Sequence, residues 1–144
     1  MKRLIIPSII LLAGISEGAM AVDCTNGTQL TNTGALPNVV ANAVSGKTVC
    51  ATIGSNKWQE FHQAGGALID YKKGPSNLVD PTKTVGSWST SGNGNSSRVT
   101  YNYGTGGSYS YEVHLSGTQY TLCGVSGAPT VDVTLLSGQV SCGF

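Results

Sequence analysis

At 144 residues the chain is one domain's worth, and only 10% of it is charged, against the quarter usual in soluble proteins, while Gly takes 20 positions. Long surface helices need charged outer faces and are excluded as the main architecture. With 8 Lys and Arg against 7 Asp and Glu, the chain has neither the basic stripe of a nucleic-acid binder nor the polybasic patch of an anionic-membrane binder.

In chain order, residues 1–21 have the three parts of a secretory signal: the cations Lys2 and Arg3, an apolar run from Leu4 to Ile15, and small Ala19 and Ala21 before a cut. That run is too short for a spanning helix, so no stable membrane insertion is expected after cleavage. Removing Lys2, Arg3 and Glu17 with the leader leaves anions and cations balanced. Export implies an oxidising compartment, periplasmic or extracellular, and there Cys24, Cys50, Cys123 and Cys142 read as two disulfides. Three pairings are possible; the nearest-neighbour one, Cys24 with Cys50 and Cys123 with Cys142, is preferred.

Residues 22–46 form an N-terminal arm and short helix. Val22–Gly34 is polar and reads as loop, whereas Leu36, Val39, Val40, Ala43 and Val44 fall at helical spacing before Gly46. From Lys47 onward the period becomes two. Val49, Ala51 and Ile53 share the face of a first strand. In the next segment Trp58 and Phe61 would suit a short helix, but Ala64-Gly65-Gly66 between two apolar segments suits a hairpin better, with Ala67, Ile69 and Tyr71 alternating on its return. Lys73–Lys83, with Pro75 and Pro81, is the longest expected loop and the most natural one for engaging a partner's cleft.

Next comes a strand around Trp88, then a Gly- and Asn-rich turn over 91–97. The strongest signal follows, a hairpin in which Val99, Tyr101 and Tyr103 share one face and Tyr109, Tyr111, Val113 and Leu115 share the returning one. Strands with Tyr120 and Leu122, with Val131, Val133 and Leu135, and with Val140, Cys142 and Phe144 complete the pattern. The expected fold is all-β: an up-and-down antiparallel meander of about eight strands over 47–144, closed into a small barrel because closure removes exposed edges. A β-sandwich is the alternative.

The Gly86–Trp88 strand and the Tyr-Thr-Leu-Cys-Gly strand at 120–124 resemble those of small exported bacterial lipocalin-like (calycin-type) barrels, which carry a GxW-type strand and a paired cysteine near the end. The resemblance spans Lys47–Phe144 and implies a barrel. The Gly-Ser-Trp lies in mid-chain here, whereas in lipocalins it marks the first strand, so no functional residue is carried over.

Candidate ligand-binding residues are the rings Trp58, Trp88, Tyr101, Tyr103, Tyr109 and Tyr111, which would line a pocket or fill a core. On size, an eight-stranded barrel favours the filled core. In an extended Trp58–His62 segment, Trp58, Glu60 and His62 would share a face. Glu112 and His114 read as outward, solvated positions. No GxSxG, Walker or zinc spacing occurs, and neither metal nor cofactor is expected. The expected function is that of a monomeric, exported, non-enzymatic binding module engaging a small apolar or aromatic ligand or a protein partner such as a hydrolase to be inhibited. The alternatives are a structural subunit of an extracellular assembly, with the arm adding to a neighbour's sheet, and a small metal-dependent hydrolase using His62, His114 and nearby carboxylates.

Overall fold

A computed structural model describes residues 24–70 and 83–143. The expected leader, Tyr71, Phe144 and the expected loop up to residue 82 lie outside the described residues. Among the described residues no helix is long and apolar enough to cross a membrane.

The period-two segments fold into a closed antiparallel barrel. Its eight strands are β2 (Lys47–Ile53), β3 (Asn56–His62), β4 (Ala67–Asp70), β5 (Lys83–Ser91), β6 (Arg98–Asn102), β7 (Ser108–Ser116), β8 (Gln119–Val125) and β9 (Val131–Ser137). Each pairs with the next, and β9 pairs with β2 to close the ring. Val49 and Ala51, Val99 and Tyr101, Val113, Leu122, and Val131 and Val133 alternate inward and are buried. A fully buried Val or Leu contributes roughly 1.5–3 kcal/mol, so this inner stripe is the main stabilising term.

The arm closes one end. A short strand β1 (Thr28–Gln29) pairs with β7 at Leu115 and His114, and the Leu30 N–H donates to the Val113 carbonyl at 2.8 Å. Residues 28–30 of the arm, expected as loop, thus add to the chain's own sheet. Helix α1 (Val39–Val44) is shorter than the spacing predicted and leaves Leu36 exposed, while Val40 and Val44 are buried as a plug against β2, β5 and β6.

Asn32, 3% exposed, holds this plug in place. Its side-chain carbonyl accepts the Val40 N–H at 3.1 Å, one of the donors that a helix start leaves unpaired, and its amide donates to the Gly92 carbonyl at 3.2 Å. Asn32→Ala is expected to destabilise the fold by about 1–3 kcal/mol, because it strands a buried helix donor. A denaturant midpoint unchanged from wild type would contradict this role.

Four further sequence expectations are corrected by the structure. On β4, Leu68 and Asp70 face inward, and Ala67 and Ile69 do not: the connection over 63–66, with Gly65 and Gly66 both at φ +97°, sets Leu68 opposite inward-facing His62. The chain after Ser137 is not a strand, because β9 is already paired on both sides and a closed ring offers no edge. Instead the segment crosses the outside of β2 and β3. There the Val140 N–H donates to Thr48 Oγ1 at 3.1 Å and the Cys142 N–H to Gln59 Oε1 at 2.6 Å, while Val140 itself stays exposed.

The disulfides are Cys24–Cys123 and Cys50–Cys142, with Cα separations of 6.0 and 5.7 Å, which overturns the nearest-neighbour preference. Cys50 and Cys123 lie on the outer faces of β2 and β8, two strands separated by β9, so each bonds the terminal segment that reaches it. His114 is also corrected: it points outward but is 8% exposed, because Gly27 and Gln29 of the arm cover it. Glu112, beside it, lies 3.9 Å from Arg98.

Candidate functional site

The end of the barrel opposite α1 is hollow. A cavity of about 470 Å³ lies within the ring, where the size argument predicts a filled core; only the α1 half is packed. Period-two alternation puts its wall in place. Strand β3 turns Trp58, Glu60 and His62 inward, because Trp58 and Glu60 sit opposite the core residues Ala51 and Val49 of β2. Strand β6 supplies Tyr101 and Tyr103, and β7 supplies Tyr109 and Tyr111. Val49, Leu122 and Val131 complete the wall, with Pro129 at the end where Tyr109 is 39% exposed and the cavity meets solvent.

The rings form two groups. Trp88, His62, Tyr101 and Tyr111 follow one another at centroid distances of 5.6, 5.2 and 5.6 Å, and Tyr103 and Tyr109 stand 6.1 Å apart nearer the mouth. These are the tilted and edge-on arrangements that aromatic quadrupoles favour. Gly86 makes the Tyr103 position possible. A Cβ there would run into the backbone carbonyl of Asn102 and come within 3.2 Å of the Tyr103 ring, so a side chain on this inward site would displace the tyrosine.

Two polar groups lie among the rings. The Tyr103 hydroxyl donates to Glu60 Oε2 at 2.8 Å. Burial pushes the Glu60 carboxyl up to about 7; the tyrosine hydrogen bond opposes this, and Asp70, its cross-strand partner on β4, adds to it. His62, fully buried, has its Nδ1 3.2 Å from the Glu60 backbone carbonyl and its Nε2 3.0 Å from the Tyr101 hydroxyl. A carbonyl can only accept, so Nδ1 carries the proton and Nε2 accepts from Tyr101. Burial pushes His62 down to about 4, against the backbone carbonyls of Glu60 and Lys47, so the imidazole is neutral at ordinary pH. Burial also raises the Tyr101 and Tyr103 hydroxyls well above the usual phenol range, with the Glu60 charge adding to it, and both remain protonated donors.

Of the six rings named from the sequence, Trp58, Tyr101, Tyr103, Tyr109 and Tyr111 surround one cavity. Trp88 does not line it. That ring packs behind His62 and donates its Nε1–H to the Gln63 carbonyl at 3.0 Å. Glu60 and His62, which share the Trp58 face expected of an extended 58–62 segment, join the five rings on the cavity wall. His62 and His114 lie on opposite sides of the barrel wall, and among the described residues no three His, Cys, Asp or Glu side chains converge as a metal site would require. The site is therefore a mostly aromatic hollow with one carboxyl held above the usual carboxylate range, a neutral imidazole and protonated phenols.

Comparison of the chain with protein-family profiles, with curated proteins and with solved structures finds no match.

Proposed function

We propose that this chain is an exported, non-enzymatic binding module that takes a small apolar or aromatic ligand into its barrel. The observation that carries the reading is the cavity of about 470 Å³ walled by Trp58 and four tyrosines. That volume falls within the roughly 300–1,000 Å³ of small-molecule sites, and a mostly aromatic wall with a few convergent polar groups is their usual make-up. Two long-range disulfides suit an oxidising compartment, which supports export.

The test is a fluorescence titration with the neutral probe N-phenyl-1-naphthylamine. Saturable one-to-one binding is expected, with energy transfer from tryptophan. Leu122→Trp, which fills the cavity from β8, is expected to weaken it at least tenfold while leaving the β-sheet circular dichroism intact. Absence of saturable binding to the wild type, or equal binding by the folded variant, would point away from the cavity and toward the outer surface and a protein partner.

A further inference from the structure

The charge balance inside the cavity narrows the ligand class. Among the described residues, the cavity wall contains a carboxyl, Glu60, and no Lys or Arg. Arg98 lies on the outer wall, 3.9 Å from Glu112. Lys83 on β5 is exposed and stands opposite Asp70, two strands round from Glu60. His62 does not supply the missing charge at ordinary pH, since burial in the wall keeps its imidazole neutral. The Tyr103 hydroxyl donates to one oxygen of the Glu60 carboxyl, and a carboxylate lining the hollow can accept more than one hydrogen bond. The surrounding faces of Trp58, Tyr103, Tyr109 and Tyr111 are electron-rich and attract a cation further. Among the described residues of the wall, an anionic ligand would meet a buried carboxylate and no Lys or Arg, and a wholly apolar one would leave that carboxyl desolvated with nothing in return.

Resting on the binding reading above, we propose that the ligand class is an organic ammonium: an amine on an apolar or aromatic body, its cation set against Glu60 inside the tyrosine and tryptophan cage.

The experiment displaces N-phenyl-1-naphthylamine at pH 8 with three molecules sharing one arylalkyl body: 2-phenylethylammonium, 2-phenylethanol and 3-phenylpropionate. An amine with a pKa of about 10 is still a cation at that pH. The ammonium is expected to bind at least tenfold tighter than the alcohol, and the carboxylate weaker than both. In Glu60→Gln the ammonium's advantage over the alcohol is expected to shrink to under threefold.

Calorimetry of the wild type at pH 7 in buffers of different ionisation enthalpy gives a second readout that needs no variant. Ammonium binding should drive the Glu60 proton into the buffer, whereas alcohol binding should not. If the naphthylamine binds but the alcohol matches or exceeds the ammonium, or Glu60→Gln keeps the full preference, the ammonium assignment is wrong and the binding module stands. If the naphthylamine itself does not bind, both fall.

Discussion

Replacing Cys50 and Cys142 together by alanine is expected to destabilise the fold by about 4 kcal/mol. The bridge joins residues 92 apart, and a cross-link closing a loop of that order restricts the unfolded chain by roughly 4–5 kcal/mol. Local structure adds to this. The segment after Ser137 has no ladder partner and is held to the barrel by this bridge and by hydrogen bonds to Thr48 and Gln59, two polar side chains of zero exposure. Once the segment detaches, both would meet water or lose their buried partners. For a domain of this size the melting temperature should fall by roughly 10–20 °C, measured by calorimetry on oxidised protein. A fall of only a degree or two would show that the tail is held without help from the bridge. The Cys24 and Cys123 pair, separated by 99 residues, should behave similarly when replaced.

The second large effect is a change in how stability depends on pH when Glu60 becomes Gln. In the folded state Glu60 keeps its proton up to about 7, whereas its ordinary value is 4.5. Between those values the folded state binds the extra proton, so stability falls as pH rises, by about 1.4 kcal/mol per pH unit at most. His62 works in the opposite direction. Its ordinary value of 6.5 drops to about 4 in the fold, so across that window the unfolded state binds the extra proton and stability falls as pH drops.

Over the shared interval the two slopes oppose and largely cancel in the wild type. Glu60→Gln removes one of them and keeps an acceptor for the Tyr103 hydroxyl. The variant should be more stable than wild type above pH 7 by roughly 2–3 kcal/mol, and that advantage should fade toward the ordinary carboxyl range. Groups facing the site, including Asp70 from β4, Tyr103 and Tyr101 from β6 and Tyr111 from β7, are present in both proteins and should largely drop out of the difference. Chemical denaturation of both proteins from pH 4 to 8.5 measures it; parallel curves would mean that Glu60 titrates as an ordinary exposed carboxyl.

How far the sequence reached follows from which forces are local. Alternation of apolar and polar residues is written residue by residue, and with it came the strands, the β6–β7 hairpin and the common face of Tyr101, Tyr103, Tyr109 and Tyr111. The return strand β4 went wrong by one residue: parity depends on how many residues the Gln63–Gly66 connection spends before pairing resumes, and a one-residue slip exchanges the faces.

Long-range covalent pairing was out of reach, because the partner of Cys50 depends on where the chain lies after β9 has closed the ring. The cavity was hidden for a related reason. Side-chain volumes can be summed from the sequence, but the α1 half of the barrel is filled by Val40, Val44 and Trp88 while the other half is left to inward Glu60 and the tilted tyrosines. Glu60 and His62 depended on a segment whose helical and extended readings compete; once β3 is extended, their placement follows.

The two bridges are interleaved, since Cys50 lies between Cys24 and Cys123, and Cys123 lies between Cys50 and Cys142. A protease that severs the backbone once anywhere from 51 to 122 therefore leaves two pieces fastened to each other twice, and every strand from β2 to β9 stays tethered to its neighbours. Such a nicked molecule runs as a single species until a reductant is added. Durability against digestion is thus built into the order of the cysteines along the chain, independently of how tightly the barrel is packed.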